Sequence, residues 1–264
     1  MYMEYLEFAK AIAYEAGKIM KKYFNEDNGA NYKIDQTIVT KADVEINEYL
    51  IRKVKEVYPD HSVDGEEEQF SQKSLYSWVC DPVDGTAMYA RGIPVAVFSL
   101  ALVIDGIPVV GVVYDPFTDS LYSAAKNQGA YKNNKKINVN DILFDDIRSV
   151  AHYDMIQNAD YNIFKPIEEL AQKTYFISIG SIARASMCVA SGALNVAIFP
   201  LSKHKNCDLA ASKIIVEEAG GKVTDLFGEE QRYDCDLNGA IISNGVVHNE
   251  VVDTIKKYLK NKKN

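Results

Sequence analysis

The 264-residue sequence has few cysteines and no long apolar run, and each shortage excludes a class of protein. Its four cysteines, Cys80, Cys188, Cys207 and Cys235, show no CxxC spacing, so neither a zinc site nor a disulfide framework is predicted. No segment approaches the roughly 18 uninterrupted apolar residues that a membrane-spanning helix needs. Acids and lysines are spread through the first 24 residues, unlike a signal peptide, so we expect a cytoplasmic protein with no membrane partner.

Basic residues are also in short supply. The chain has 29 Lys and Arg against 37 Asp and Glu, a formal net charge of -8. A protein that binds nucleic acid through a broad basic face needs an excess of lysine and arginine, so no nucleic-acid partner is expected. The apolar fraction of 47% and the charged fraction of 25% are typical of a globular protein long enough to bury a core.

Two kinds of periodicity divide the chain. Residues 4–24 and 43–58 carry apolar side chains at spacings of three and four, which predicts two amphipathic helices. From Ser77 onward, short β-rich runs separated by glycine and asparagine predict a meandering, mostly antiparallel sheet, with a hairpin turn at "DGIP", which begins at Asp105. Helical and extended segments then alternate, which predicts sheets covered by helices. We expect one layered α/β (α+β) domain over 1–264, with subdomains of about 1–140 and about 141–264.

Two aspartates lie close together in "WVCDPVDGT", where an apolar run ends. Asp81 and Asp84 are separated only by Pro82 and Val83. Like charges repel each other, and each resists burial unless a positive charge compensates it. Magnesium and similar hard cations prefer carboxylate and carbonyl oxygens, which Asp81, Asp84 and the Val83 carbonyl could supply together. The motif therefore indicates a site for a divalent cation.

Two further acidic positions fit such a site. In "VDGEEEQ", Glu66 follows a glycine at the end of a possible short strand, although three successive glutamates could also form a solvated loop. In "KNCDLAASK", Asp208 stands at a predicted helix start, where an aspartate could equally serve as the N-cap. Capping and metal binding are compatible, so both interpretations stay open on these residues alone.

Three motifs together resemble the inositol monophosphatase family of metal-dependent sugar phosphatases. They are "GEE", "DPVDGT" and "CDLAASKIIVEEAGGKVTD", in this order and at these separations. The segments "IVTKAD", "GAYKNNKKINV" and "GSIARASMCVASGALN" extend the likeness over nearly the whole chain. The resemblance implies a layered αβαβα sandwich of the sugar phosphatase type, a homodimer, and an Mg²⁺-dependent phosphatase that uses water as its nucleophile.

The resemblance also implies two to three Mg²⁺ ions and a role for each acid. It assigns the first ion to Glu66, Asp81 and the Val83 carbonyl, and the second to Asp81, Asp84 and Asp208. Asp43, in "IVTKAD", would hold water around a third and weaker ion. Thr86, working with Glu66 or Asp43, would orient the attacking water and take its proton, although a threonine after a turn can also be a helix cap.

Two dipeptides that begin with glycine, Gly85-Thr86 and Gly180-Ser181, are candidates for binding the substrate. Gly85 and Thr86 would begin a short helix whose first amides face the phosphate. Gly180 and Ser181 would contact the organic part of the substrate. Each pair could instead be only a turn and a cap.

The sequence departs from the family pattern close to Asp208. Cys207 replaces the usual tryptophan, and Leu201 stands where inositol-selective members carry an acid, which puts strict inositol specificity in doubt. Lys203 and Lys205 in "PLSKHKNCD" could bind a second phosphate, with help from Arg184, or could form a solvated basic loop.

These residues favour an enzyme with two substrates. We expect a phosphatase for inositol monophosphate and fructose 1,6-bisphosphate, as in archaeal-type members of the family. A phosphatase for 3'-phosphoadenosine 5'-phosphate is a close alternative because it shares the metal motifs. A non-catalytic binding protein on the same fold is an alternative from a different class.

Overall fold

A computed structural model describes residues 2–24, 28–33, 37–154, 161–200 and 206–259. Two helices open the fold, α1 (Met3–Phe24) and α2 (Lys41–Val57), and each begins within two residues of its predicted start. Between them, β1 (Asn31–Tyr32) and β2 (Ile38–Val39) form a two-stranded antiparallel ribbon. The apolar residues at three and four spacing are the buried face of each helix, as the periodicity predicts.

The first large sheet has eight strands in the order β10-β9-β8-β7-β6-β5-β3-β4. The strands are β3 (Ser62–Gly65), β4 (Gln69–Phe70), β5 (Tyr76–Asp84), β6 (Val97–Ile104), β7 (Ile107–Asp115), β8 (Ser120–Ala125), β9 (Ala130–Lys132) and β10 (Lys135–Ile137). From β5 to β10 they form an antiparallel meander, and β3 pairs parallel with β5. Asp105 and Gly106 both adopt positive φ in the β6–β7 turn, which confirms the hairpin predicted there.

The second large sheet is mixed, with the order β12-β11-β13-β15-β14. Its strands are β11 (Val150–Tyr153), β12 (Tyr175–Ile177), β13 (Val196–Phe199), β14 (Lys222–Thr224) and β15 (Ala240–Ser243). The other helices are α3 (Thr86–Tyr89), α4 (Phe164–Leu170), α5 (Ile182–Ala190), α6 (Asn206–Glu218) and α7 (His248–Leu259). Strand β11 pairs parallel with both β12 and β13, so the carboxyl ends of these three strands lie at one edge.

The helices form three layers around the two sheets. Helices α1 and α2 pack on the outer face of the first sheet, α5 and α6 lie between the sheets, and α4 and α7 cover the second sheet. This arrangement is the predicted αβαβα sandwich. Among the described residues, no helix combines the length and hydropathy that crossing a membrane requires.

A close approach between the first sheet and α6 sets the position of the site. A Cβ atom built on Gly111 of β7 would lie 2.5 Å from Cγ2 of Ile214 and 2.9 Å from the carbonyl oxygen of Ala211. Only glycine therefore admits the helix at this distance. Because α6 begins with the segment that contains Asp208, its seating against the sheet places that aspartate.

Candidate active site

Three carboxylates from distant parts of the chain meet at the end of β5. Asp81, Asp84 and Asp208 are buried, and each offers a carboxylate oxygen within 4.8 Å of the other two. In a regular strand, residues three apart point to opposite faces. The register of β5 against β6 shifts between Asp81 and Asp84, so a β-bulge inserts one extra residue. The bulge is what lets both aspartates face Asp208.

Asp84 is held by the first turn of α5. Its Oδ2 accepts hydrogen bonds from the Ser181 hydroxyl at 2.5 Å and the Ala183 amide at 2.7 Å, and its Oδ1 accepts one from the Ile182 amide at 3.3 Å. Burial and the charge of Asp208 nevertheless raise the pKa of Asp84 to about 7. The three hydrogen bonds fix the position of the Asp84 carboxylate. A cation bound between Asp84 and Asp208 would relieve the repulsion between their charges.

Asp81 and Asp208 are oriented by their own neighbours along the chain. Oδ1 of Asp81 accepts a hydrogen bond from the Val83 amide at 2.9 Å. The Cys207 thiol lies 3.2 Å from Oδ1 of Asp208, so the residue that replaces the family tryptophan contacts the cluster directly. Helix α6 begins at Asn206, so Asp208 lies within its first turn and is not the N-cap.

Glu66 lies beside this cluster without being a member of it. Its amide donates to the Cys80 carbonyl at 3.1 Å, which places Glu66 next to β5. Its Oε1 is 3.4 Å from Nζ of Lys33, and Lys33 also binds Glu67 at 2.6 Å. The role of Glu66 as a metal ligand therefore stays a prediction. Nothing in the periodicity of the sequence indicated that Lys33 would pair with these acids.

Asp43 and Thr86 face each other on the other side of the site. Asp43 is fully buried in α2, and its Oδ2 accepts hydrogen bonds from the Thr40 amide at 2.8 Å and the Thr40 hydroxyl at 2.5 Å. Its Oδ1 lies 3.4 Å from the Thr86 hydroxyl, which also donates to the Val83 carbonyl at 2.8 Å. Burial raises the pKa of Asp43 to about 7. The N-cap of α3 is Gly85, so Thr86 is not a cap.

The two predicted substrate-binding dipeptides, Gly85-Thr86 and Gly180-Ser181, are neighbours in space. Gly85 has φ +92, and a Cβ atom built on it would lie 3.0 Å from the Gly180 carbonyl and 3.1 Å from Cβ of Ser181. The structure therefore brings both pairs to the end of β5. Ser181 caps α5 by accepting a hydrogen bond from the Arg184 amide at 3.1 Å, which was one of the two interpretations of this residue. Its hydroxyl also donates to Asp84, and the sequence did not indicate that bond.

Of the other predicted substrate contacts, Arg184 is the one that the structure describes. The guanidinium of Arg184 forms an ion pair with Asp115 at the end of β7. A contact between Arg184 and substrate therefore stays a prediction. Leu201, Lys203 and Lys205 lie outside the described residues.

The sequence and the fold are both similar to those of known proteins. Residues 1–260 match the model of the Inositol monophosphatase family. A curated relative from Aquifex aeolicus, named fructose-1,6-bisphosphatase/inositol-1-monophosphatase, is 31% identical over 97% of both chains. A relative of the same name from Thermotoga maritima is also 31% identical over 97% of both chains. The solved structure of a Thermotoga maritima IMPase superposes with a TM-score of 0.86 at 27% identity, covering 98% of this chain and 99% of that one.

Proposed function

Because the chain belongs to the inositol monophosphatase family and is a phosphomonoester hydrolase, we propose that it is an Mg²⁺-dependent phosphatase for inositol monophosphate and fructose 1,6-bisphosphate. One observation carries this proposal: the buried cluster of Asp81, Asp84 and Asp208 at the end of β5. The two relatives that are 31% identical are named for both activities, which supports the pair of substrates.

The donor atoms of the cluster fit a hard divalent cation. Three carboxylates supply oxygen ligands, and their mutual repulsion inside the protein is relieved when a dication lies among them. Asp81, Asp84 and Asp208 would hold one ion, and Glu66 with the Val83 carbonyl would complete a second that shares Asp81. Asp43 would hold water around a third. When bound, such ions neutralise charge on the phosphoryl oxygens and make water a stronger acid.

Thr86 and Asp43 handle the proton of the attacking water. A hydroxyl has one hydrogen to donate and two lone pairs to accept with. When Thr86 turns its hydrogen toward Oδ1 of Asp43, 3.4 Å away, its oxygen can accept a hydrogen bond from the water and orient it. The Asp43 carboxylate, on the far side of the Thr86 hydroxyl, can then accept the proton that leaves the water.

The start of α3 can bind the phosphate of the substrate, and the start of α5 holds Asp84 in place. The first amides of α3, at Thr86 and Ala87, have no acceptor within the helix, so phosphate oxygens can bind them. Ser181, Ile182 and Ala183 fix Asp84 by three hydrogen bonds. Chemistry at phosphorus then needs little rearrangement of the protein.

A phosphate-release assay tests the proposal. The substrates are inositol 1-phosphate, fructose 1,6-bisphosphate and 3'-phosphoadenosine 5'-phosphate, each with Mg²⁺ and with a chelator. We expect the first two to be hydrolysed only with Mg²⁺, and Asp84→Asn protein prepared in parallel measures any contaminating phosphatase. Preference for the nucleotide would overturn the substrate assignment, and equal rates with chelator would overturn the metal dependence.

Two further expectations come from the family resemblance and the composition. We expect a homodimer and a cytoplasmic location. Sedimentation equilibrium measures the first, and cell fractionation measures the second.

A further inference from the structure

Two asparagines hold the segment that carries Glu66, one from each face of the first sheet. Asn206 is the first residue of α6, and its Nδ2 donates to Oδ2 of Asp64 in β3 at 2.7 Å. Asn47 is buried in α2, and its Nδ2 donates to the Glu68 carbonyl at 3.0 Å. Neither asparagine was a candidate site residue in the sequence.

The pairing of β3 with β5 brings Glu66 to the cluster. Gly65 lies opposite Cys80 in the parallel register, and the Glu66 amide donates to the Cys80 carbonyl at 3.1 Å. Glu66 therefore leaves β3 at the level where Asp81 follows Cys80 in β5. Residues 66–68 form the connection from β3 to β4, so their position depends on bonds from outside the sheet.

The bond between Asp64 and Asn206 joins two segments that each carry an acid of the site. Asp64 is two residues before Glu66, and Asn206 is two residues before Asp208. The other carboxylate oxygen of Asp64 accepts a hydrogen bond from Nε2 of Gln69 at 2.6 Å, so both of its oxygens are held. Because the packing of α6 against β7 fixes the helix, this bond sets how closely the Glu66 segment approaches Asp208.

Asn47 holds the other end of the same connection. A Cβ atom built on Gly65 would overlap Oδ1 of Asn47 and lie 2.7 Å from the Glu68 carbonyl, so only glycine lets the amide lie this close. Asn47 is four residues after Asp43 in α2, so the two side chains lie on the same face of the helix. One face of α2 thus carries both a predicted site acid and a donor to the Glu66 connection.

Lys33 makes the position of the backbone here important. Its Nζ lies 3.4 Å from Oε1 of Glu66 and 2.6 Å from Oε1 of Glu67. A divalent cation would have to share the Glu66 carboxylate with Lys33 or displace the lysine. With Asp64 and the Glu68 carbonyl held by hydrogen bonds, the backbone on both sides of Glu66 stays in place during either change, and only side chains move.

We propose that Asn47 and Asn206 are positioning residues for Glu66 in the metal site. Asn206 acts through Asp64, and Asn47 acts through the Glu68 carbonyl. Neither asparagine touches the cation or the substrate in this account. The inference rests on the proposed Mg²⁺-dependent function.

Titration calorimetry with Mg²⁺ in the absence of substrate tests the proposal without relying on activity. Asn206→Ala and Asn47→Ala each remove one of the two bonds. A direct partner of a metal ligand is worth about 10- to 100-fold in affinity, and these bonds act one step further away, so we expect a loss of about fivefold in each variant. If Asn47→Ala does not fold, Asn206→Ala, at a partly exposed position, still decides the question.

Asn195→Ala is the matched control. Asn195 is also buried, and its Nδ2 donates to a backbone carbonyl, that of Ile142, at 2.6 Å. It lies next to β13 in the second sheet, away from Glu66. We expect this variant to lose stability in thermal unfolding without losing Mg²⁺ affinity.

An exchange of the two bonded side chains isolates the hydrogen bond itself. In the double variant Asp64→Asn/Asn206→Asp, position 64 supplies the donor and position 206 the acceptor, and the net charge is unchanged. The weaker bond from Asn206 to the Tyr233 carbonyl, at 3.3 Å, is not restored. We therefore expect Mg²⁺ affinity within about threefold of the unmodified protein and above that of Asn206→Ala. Affinity as low as in Asn206→Ala would show that this bond does not position the site.

A second double variant tests the route through Glu66. In a Glu66→Gln background, Asn206→Ala should change Mg²⁺ affinity less than about twofold, because the ligand that it positions is already altered. An effect as large as in the unmodified background would overturn the inference, since Asn206 would then act by another route.

The outcomes separate the inference from the proposed function. If the unmodified protein binds no Mg²⁺, the proposed metal site is wrong and the inference fails with it. If the unmodified protein binds Mg²⁺ and both Asn47→Ala and Asn206→Ala bind it equally well, the inference alone is overturned.

Discussion

The Ser181 hydroxyl donates a hydrogen bond of 2.5 Å to the carboxylate of Asp84, and this bond joins the start of α5 to the end of β5. The two residues are 97 positions apart in the chain. Asp84 belongs to the first sheet, whereas Ser181 belongs to the layer of helices between the sheets. The geometry of the cluster therefore depends on how the two halves of the chain pack.

Replacing Ser181 tests that dependence. In Ser181→Ala, Asp84 keeps its two amide donors and loses its hydroxyl donor. Loss of a partner that orients a metal ligand typically costs about 10- to 100-fold in metal affinity, and we expect a loss in this range. Titration calorimetry with Mg²⁺ measures it. Ser181→Thr retains the hydroxyl and should bind Mg²⁺ within about threefold of the unmodified protein; equal affinity for both variants would contradict this role of Ser181.

Mg²⁺ binding should release protons near neutral pH. Without metal, the pKa of Asp84 is raised to about 7 by burial and by Asp208, so this carboxyl is about half protonated at pH 7. A bound dication requires the ionised form, so we expect Asp84 to contribute about half a proton at pH 7 and almost none at pH 9, and Asp84→Asn to release that much less. Calorimetry in two buffers with different ionisation enthalpies measures the number. An equal release from Asp84→Asn would show that another group supplies the protons.

The buried imidazole of His248 should make the fold sensitive to acid. Nδ1 lies 2.8 Å from the Ser243 hydroxyl and Nε2 lies 3.0 Å from the Thr224 hydroxyl, while burial and then nearby lysine charges lower the pKa of His248 to about 4. In the unfolded chain, where the pKa of His248 is about 6.5, the imidazole binds a proton between pH 6.5 and 4 that it does not bind in the folded chain. This contribution to the free energy of unfolding is complete above pH 6.5 and is lost as the pH falls toward 4.

Urea unfolding of the protein and of His248→Gln at pH 7.5 and pH 4.5 isolates this contribution. The unmodified protein should lose about 2 to 3 kcal/mol more than the variant between these two pH values. All other titrating groups are common to both proteins and cancel in the comparison. If the two lose the same free energy, His248 is not the source of acid sensitivity.

Gly85→Ala should disturb both stability and the site. A residue other than glycine at φ +92 costs about 1 to 2 kcal/mol, and here the new Cβ atom would also lie 3.0 Å from the Gly180 carbonyl. Gly92→Ala is the matched control, because Gly92 has φ +73 and nothing lies within 4 Å of an added Cβ. We expect both variants to lose stability in thermal unfolding, but only Gly85→Ala to lose Mg²⁺ affinity as well. Unchanged affinity in Gly85→Ala would mean that its contact with Gly180 does not support the site.

Local patterns predicted the elements of the fold more fully than their arrangement. Apolar spacing of three and four predicted α1 and α2, and the Asp105–Gly106 turn predicted a hairpin, because these signals depend on neighbouring residues alone. The parallel pairing of β11 with β12 and β13 could not be predicted in this way. It depends on how the connections that contain α4 and α5 cross between strands, and no local pattern encodes those crossings.

For the candidate site as well, the sequence predicted the residues more fully than their arrangement. The spacing of Asp81 and Asp84 indicated a cation, but a regular strand would point them to opposite faces, and only the bulge against β6 brings them together. Family resemblance named Asp208 as their partner, and the structure places it there. Neither source indicated that the Ser181 hydroxyl would donate to Asp84, because that contact requires the end of β5 and the start of α5 to meet.

Phosphate release by Asp81→Ala and Asp84→Ala tests the central claim most directly. With Mg²⁺ and inositol 1-phosphate, we expect each variant to lose more than about a hundredfold in rate, about 2.7 kcal/mol of transition-state stabilisation, while circular dichroism shows an intact fold. Asp60→Ala, which removes an exposed acid, controls for the change in net charge and should keep its rate. Folded Asp81→Ala and Asp84→Ala proteins that hydrolyse the substrate within tenfold of the unmodified rate would contradict a catalytic metal site at this cluster.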